Sequence, residues 1–141
     1  MLKQSIRKTG IETEADLQKH VHGLLKGIKK NKEEFIWRWD MAGENMTDVN
    51  ERSKLHQMNK NSRGFPDLTI WFNNRTLFLE LKRQGVNVAL DIRANDAHTV
   101  EQFEMLRRFK KQGHSAAFAV GFESAKQKIY NFIDNREISI F

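Results

Sequence analysis

The residues best placed by type and spacing to do chemistry lie in one segment. It reads Gly64-Phe-Pro-Asp67-Leu-Thr-Ile-Trp-Phe-Asn-Asn-Arg-Thr-Leu-Phe-Leu-Glu80-Leu-Lys82. Two apolar runs flank Asn73-Asn74, and Asn tolerates the positive φ that tight hairpin turns require. With that turn Phe72 pairs with Arg75, and paired residue numbers sum to 147. Leu68 then faces Leu79 and Ile70 faces Leu77, so the aliphatic residues share a face. Asp67 falls opposite Glu80. A one-residue slip would set Asp67 against Leu81 and mix the two faces. Directly opposed Cβ atoms lie ~4.5–5.5 Å apart, and like charges there destabilise a sheet unless something neutralises them. Two converging carboxylates with water are what Mg²⁺ takes. Lys82 lies two residues beyond Glu80 on the same face, where a cation can orient a water or steady a phosphate. Taken separately, Glu-x-Lys also suits a solvated strand and Pro-Asp an ordinary turn.

The elements that must position these groups follow from the pattern around them. Leu17, Val21, Leu24, Leu25 and Ile28 form one helical stripe within Thr13 to Lys30. Thr13 is its cap, with Asp16 three residues on. On a wheel of ~100° per residue, Glu14 lies ~40° from the stripe centre and Asp16 ~120° from it. Glu14 is therefore the acid expected to point inward, and a first-turn acid complementing the helix dipole is the alternative. Phe35-Ile-Trp-Arg-Trp39 reads as a strand. Asp40 to Pro66 is polar and without a period, and such long loops are often functional. Its second half carries Arg52, Lys54, Lys60 and Arg63 and no acid from Arg52 to Arg63. With Arg83, these are the candidate contacts for a polyanionic partner; a solvated loop surface is the alternative.

Thr99 to Gln112 reads as a helix ended by Gly113, with Thr99 and Gln102 fitting a capping box. Gln102 also borders the inward stripe, from which it can reach the site. Ser115 to Phe122 reads as a strand. Ser124 to Asn135 reads as a helix capped by Ser124 and Gln127, and Ile138 to Phe141 as a terminal strand. The order is α-β-β-β-α-β-α-β, an α/β fold with a mixed β-sheet flanked by helices.

Composition sets bounds on this reading. The chain has 141 residues, 24 Lys plus Arg, 18 Asp plus Glu, and net charge +6. That length suits a single domain spanning 1–141, and the charge permits a polyanionic partner. The absence of Cys excludes thiolate metal sites and Cys nucleophiles and fits a cytoplasmic protein. No apolar run approaches a membrane span. Met1 to Thr9 lacks the apolar stretch of a secretory signal. The five histidines, His20, His22, His56, His98 and His114, make no zinc pattern, and neither a P-loop nor a dinucleotide fingerprint is present, so no nucleotide cofactor is expected. Trp37, Trp39 and Trp71 are expected to fill the core or an interface rather than stack bases. Arg107, Arg108, Lys110 and Lys111 suit the C-terminal end of a helix dipole.

Glu14-Ala-Asp-Leu-Gln, Gly64-Phe-Pro-Asp67-Leu, Leu-Glu80-Leu-Lys82 and Gln102 together resemble the PD-(D/E)XK nuclease superfamily, and within it the VRR-NUC domain found alone in phages. The resemblance spans Glu14 to about Tyr130 and implies a restriction-endonuclease-like core. It implies that Asp67, Glu80 and the carbonyl of Leu81 bind Mg²⁺ or Mn²⁺, with Glu14 joining directly or through water. Lys82 would orient or deprotonate the attacking water, and Gln102 would support Lys82 or a phosphate. Stand-alone members resemble Holliday junction resolvases, so the resemblance implies a homodimeric, metal-dependent endonuclease for branched, flapped or four-way junction DNA. A restriction-like or nicking nuclease, or a non-catalytic nucleic-acid-binding module of the same fold, are the alternatives. Gln84 to His98 is longer than in the compact form of the family, as a dimer arm or DNA-contacting flap would be.

Overall fold

In the computed structural model the described residues are 12–40 and 48–141. The basic segment Met1 to Thr9 lies outside them. The elements are α1 (Glu14–Lys29), β1 (Ile36–Trp39), α2 (Val49–Met58), β2 (Leu68–Phe72), β3 (Arg75–Lys82), α3 (Val88–Arg93), α4 (Ala97–Lys111), β4 (Ser115–Val120) and α5 (Phe122–Ile133), with a 3-10 turn at Lys60–Ser62. The four strands form one mixed sheet in the order β1-β2-β3-β4. β1, β2 and β3 are antiparallel neighbours, and β4 runs parallel to β3.

The hairpin has the expected register. Leu68 pairs with Leu79, Ile70 with Leu77 and Phe72 with Arg75, and Asn73 and Asn74 both take positive φ at the turn. Alternation then splits the sheet into two faces. Leu68, Ile70, Leu77, Leu79, Leu81, Ala117 and Ala119 line one face, all fully buried with Leu17, Val21 and Leu25 of α1 and Ile129 and Phe132 of α5. The other face carries Phe78, Ala116 and Phe118, which pack with Leu106 of α4 and Val88 of α3.

Several local expectations are corrected. Of the segment Asp40 to Pro66, residues 41–47 lie outside the described residues and 48–66 are not patternless: Asp48 accepts from the amides of Asn50 and Glu51 and caps α2, a helix held by its cap rather than by an apolar stripe. The cap of α4 is Asp96, not Thr99. Its carboxylate accepts from the hydroxyl and amide of Thr99, which lowers its pKa and releases Gln102 from capping. α5 begins two residues early, at Phe122, after Gly121 in a positive-φ conformation, and has no Ser124 cap. Ile138–Phe141 is not assigned as a strand; the amide of Phe118 donates to the carbonyl of Ile140 at 2.8 Å. The Gln84 to His98 segment packs into the body of the fold, with Val86, Val88 and Ile92 against Leu106 and Phe118.

Candidate active site

The site forms at the carboxyl ends of the parallel pair β3 and β4, where open α/β sheets gather ligands. Asp67 immediately precedes β2. Its Oδ2 accepts from the backbone N–H of Leu81 at 2.9 Å, which holds it beside Glu80 on the neighbouring strand. In a strand the N–H and C=O of one residue project to the same edge, so the Leu81 carbonyl also faces the Asp67 side. Lys82 instead gives its carbonyl to the amide of Gly121, at 2.8 Å toward β4.

The loop that delivers Asp67 is anchored from both sides. Phe65 packs edge-on against Phe78 and Phe109, which stack on each other at 3.7 Å between centroids. Gly64 has φ +78, and a Cβ there would lie 2.7 Å from the backbone carbonyl of Glu101. Only glycine lets this loop approach α4 so closely. The sequence offers Gly64 as an isolated glycine; its purpose emerges only against the helix.

Glu80 is 3% exposed. Burial, followed by the charge of Asp67 and a hydrogen bond with it, raises its pKa from 4.5 to about 10; Lys82 opposes this and Glu14 adds to it. Its Oε2 accepts from Nε2 of Gln102 at 3.0 Å. The same Gln102 nitrogen lies 3.1 Å from Nε2 of His98, one turn earlier on α4. Among the described residues Oε1 of Glu80 and Oε1 of Gln102 are buried without a hydrogen-bond partner. Two adjacent carboxylates, one of them with an oxygen lacking a partner, and a nearby backbone carbonyl form an all-oxygen set suited to a hard divalent cation. Among the described residues no group of three or more His, Asp or Glu side chains could hold a metal, so backbone oxygen or water must complete any coordination.

Glu14 is exposed and Asp16 buried, the reverse of the wheel expectation. The reason is the capping box: Asp16 folds back onto the Thr13 amide while Thr13 accepts from the Asp16 amide. Glu14 nevertheless lines the site cavity from the start of α1. That cavity, about 1100 Å³, also takes in Asp67, Glu80, Lys82 and Gln102. Arg63 lines it from the loop after the 3-10 turn. Arg52 and Lys54 stand on α2 and Lys60 in that turn, beside the cavity rather than in its lining, and Arg83 is exposed beyond β3.

The same cavity contains Arg38, Asp40 and Thr69, which sequence reasoning passed over, Trp71, which it assigned to the core or an interface, and His98, which it gave no role. The amide of Asp40 donates to the carbonyl of Asp67 at 2.8 Å, continuing the β1–β2 ladder by one rung. The pairing sum of that ladder, 107 from Ile36 with Trp71, would have found Arg38 and Asp40 had the partner of β1 been known. His98 was findable as the i−4 neighbour of Gln102 once the cap was placed at Asp96. Trp37 and Trp39 pack as expected against the apolar core and beside His22 of α1; Trp71 does not.

A VRR-NUC domain protein of known structure is similar to this chain, with a TM-score of 0.54 and 19% sequence identity over 88% of this chain and 93% of the other. The chain has the VRR-NUC fold. No protein-family model and no curated protein matches it. In the VRR-NUC fold described here the acids flank the carboxyl ends of β3 and β4, and the aliphatic face lies beneath them. Among the described residues no helix is long and apolar enough to cross a membrane.

Proposed function

We propose that this protein is a metal-dependent DNA endonuclease that hydrolyses phosphodiester bonds, with branched, flapped or four-way junction DNA as its substrate class and a homodimer as its working form. The observation that carries the reading is the half-buried Asp67 set beside the buried Glu80, whose ionisation burial and the Asp67 charge oppose unless a cation offsets them. The VRR-NUC fold supports the nuclease class.

Asp67, Glu80 and the Leu81 carbonyl would hold Mg²⁺ or Mn²⁺, and Glu14 would contribute through water. When bound, such an ion neutralises phosphoryl charge and makes water easier to deprotonate. The chain's own residues supply the rest. Gln102 fixes one oxygen of Glu80, leaving the other without a hydrogen-bond partner among the described residues, and His98 restrains the Gln102 amide in turn. Lys82, on the same strand face as Glu80, orients the attacking water and takes part in its proton transfer. Arg63 at the cavity wall, with Arg52, Lys54, Lys60 and Arg83 around it, attracts the phosphate backbone.

The test is incubation with Mg²⁺ or Mn²⁺ and a panel of plasmid, flap and four-way junction DNAs. Cleavage by wild type and its loss in Asp67→Ala and Glu80→Ala is the expected result. No cleavage by wild type, or undiminished cleavage by either variant, overturns the reading.

A further inference from the structure

We propose that the β1–β2 half of the site face is a track for a single strand of nucleic acid, with Trp71 as a base-stacking station. The proposal rests on the nuclease reading for its direction and extends it to a specific substrate feature, an unpaired strand.

The track follows from register. Ile36 pairs with Trp71 and Arg38 with Thr69, and the Asp40–Asp67 hydrogen bond adds the next rung on the same face. Same-face rungs recur every two residues, ~7 Å apart. The first rung, Asp40 and Asp67, is anionic and adjoins Glu80. The second offers the exposed guanidinium of Arg38, suited to phosphate, above the buried Thr69. The third is apolar, with Trp71 40% and Ile36 55% exposed. A strand whose scissile phosphate reaches the carboxylate pair would place a neighbouring phosphate over Arg38 and lay a base on the indole.

Arg38, Thr69 and Trp71 line the same cavity as Asp67 and Glu80, so the track is continuous with the site. Packing does not explain the exposed indole: the aliphatic core lies on the opposite face, and Trp71 is not among the described residues packed on the Phe78–Leu106 cluster of its own face. A base stacked within a duplex has both π-faces occupied, whereas an unpaired base offers one to an aromatic side chain. A second protein copy is the poorer occupant: interface cores are depleted of Asp, and Asp40 and Asp67 form the first rung of this patch.

The experiment measures fluorescence anisotropy of labelled oligothymidine and of a blunt duplex, with the full chain carrying Glu80→Gln to prevent cleavage. Adding Trp71→Ala should weaken oligothymidine binding about tenfold and duplex binding less than about twofold by the same stacking logic. Trp71→Phe, which keeps a ring, should restore most of the loss. Arg38→Ala should weaken oligothymidine binding and reduce its salt slope by about one. Equal losses on both DNAs, no loss with Trp71→Ala, or a dimer converted to monomer by Trp71→Ala would each overturn the track. Wild-type cleavage is scored separately. Trp71-dependent binding without any cleavage keeps the track and removes the nuclease reading; cleavage without Trp71 dependence does the reverse.

Discussion

The two faces of the β2–β3 hairpin are built from alternate residues of the same strands, yet they serve opposite ends. Leu68, Ile70, Leu77, Leu79 and Leu81 are fully buried beneath α1 and α5. On the other face Asp67, Glu80 and Lys82 line an open cavity. The aliphatic face gains free energy from every side chain it buries. The polar face buries a carboxylate beside another and raises its pKa to about 10, an arrangement that opposes folding of the metal-free chain at neutral pH. A protein sustains such a site because the stabilising face is a single Cβ alternation away.

The sharpest way to break this comparison is Glu80→Gln. Loss of a charge-stabilising metal ligand worth several kcal/mol should lower cleavage by about a thousandfold or more, while the metal-free protein melts at the same or a higher temperature at pH 8. A large fall in melting temperature would show that the Glu80 carboxyl group stabilises the fold. The same group sets the pH dependence. The folded pKa of Glu80 lies above its unfolded value, so its contribution is fully present below about pH 4.5 and is lost as pH rises toward 10. In EDTA the melting temperature should therefore fall across that window. Glu80→Gln should flatten the fall, and added Mg²⁺ should stabilise more strongly at high pH. Thermal melts in a pH series check all three.

On the opposite face Leu79→Ala should cost ~2–5 kcal/mol of stability by denaturant titration, with the folded fraction still cleaving DNA at low temperature. Gly64→Ala tests the anchor between the faces. Its φ of +78 and the close Glu101 backbone should make it cost ~1–3 kcal/mol and reduce activity through a displaced Asp67. The smallest effect expected is that of Gln102→Leu, which removes the donor to Glu80. Metal affinity measured by isothermal titration should fall about tenfold, with little change in melting temperature.

Much of the site was legible in the chain. The aliphatic pattern of the hairpin admits only one register, and that register alone sets Asp67 opposite Glu80. Thr13 and Asp16 likewise announced their capping box, although the wheel then misjudged which acid lies inward, because a box turns its second acid back onto the backbone. α2 was not legible because it lacks an apolar stripe. Thr99 masked the true start of α4 because its own hydrogen bonds serve the Asp96 cap.

By itself the sequence determined what is local: the hairpin turn, its register, the two-faced alternation, and hence the carboxylate pair with Lys82 beside it. These depend on residue spacing within a few strands and turns. Tertiary structure alone decided which distant groups join them. The β1–β2 pairing brought Arg38 and Asp40 to the site and exposed Trp71, and the seating of α4 on Gly64 delivered Gln102 and His98 to Glu80. Those meetings depend on how helices pack and which strand becomes an edge, quantities set by the summed burial of the whole core rather than by any local period.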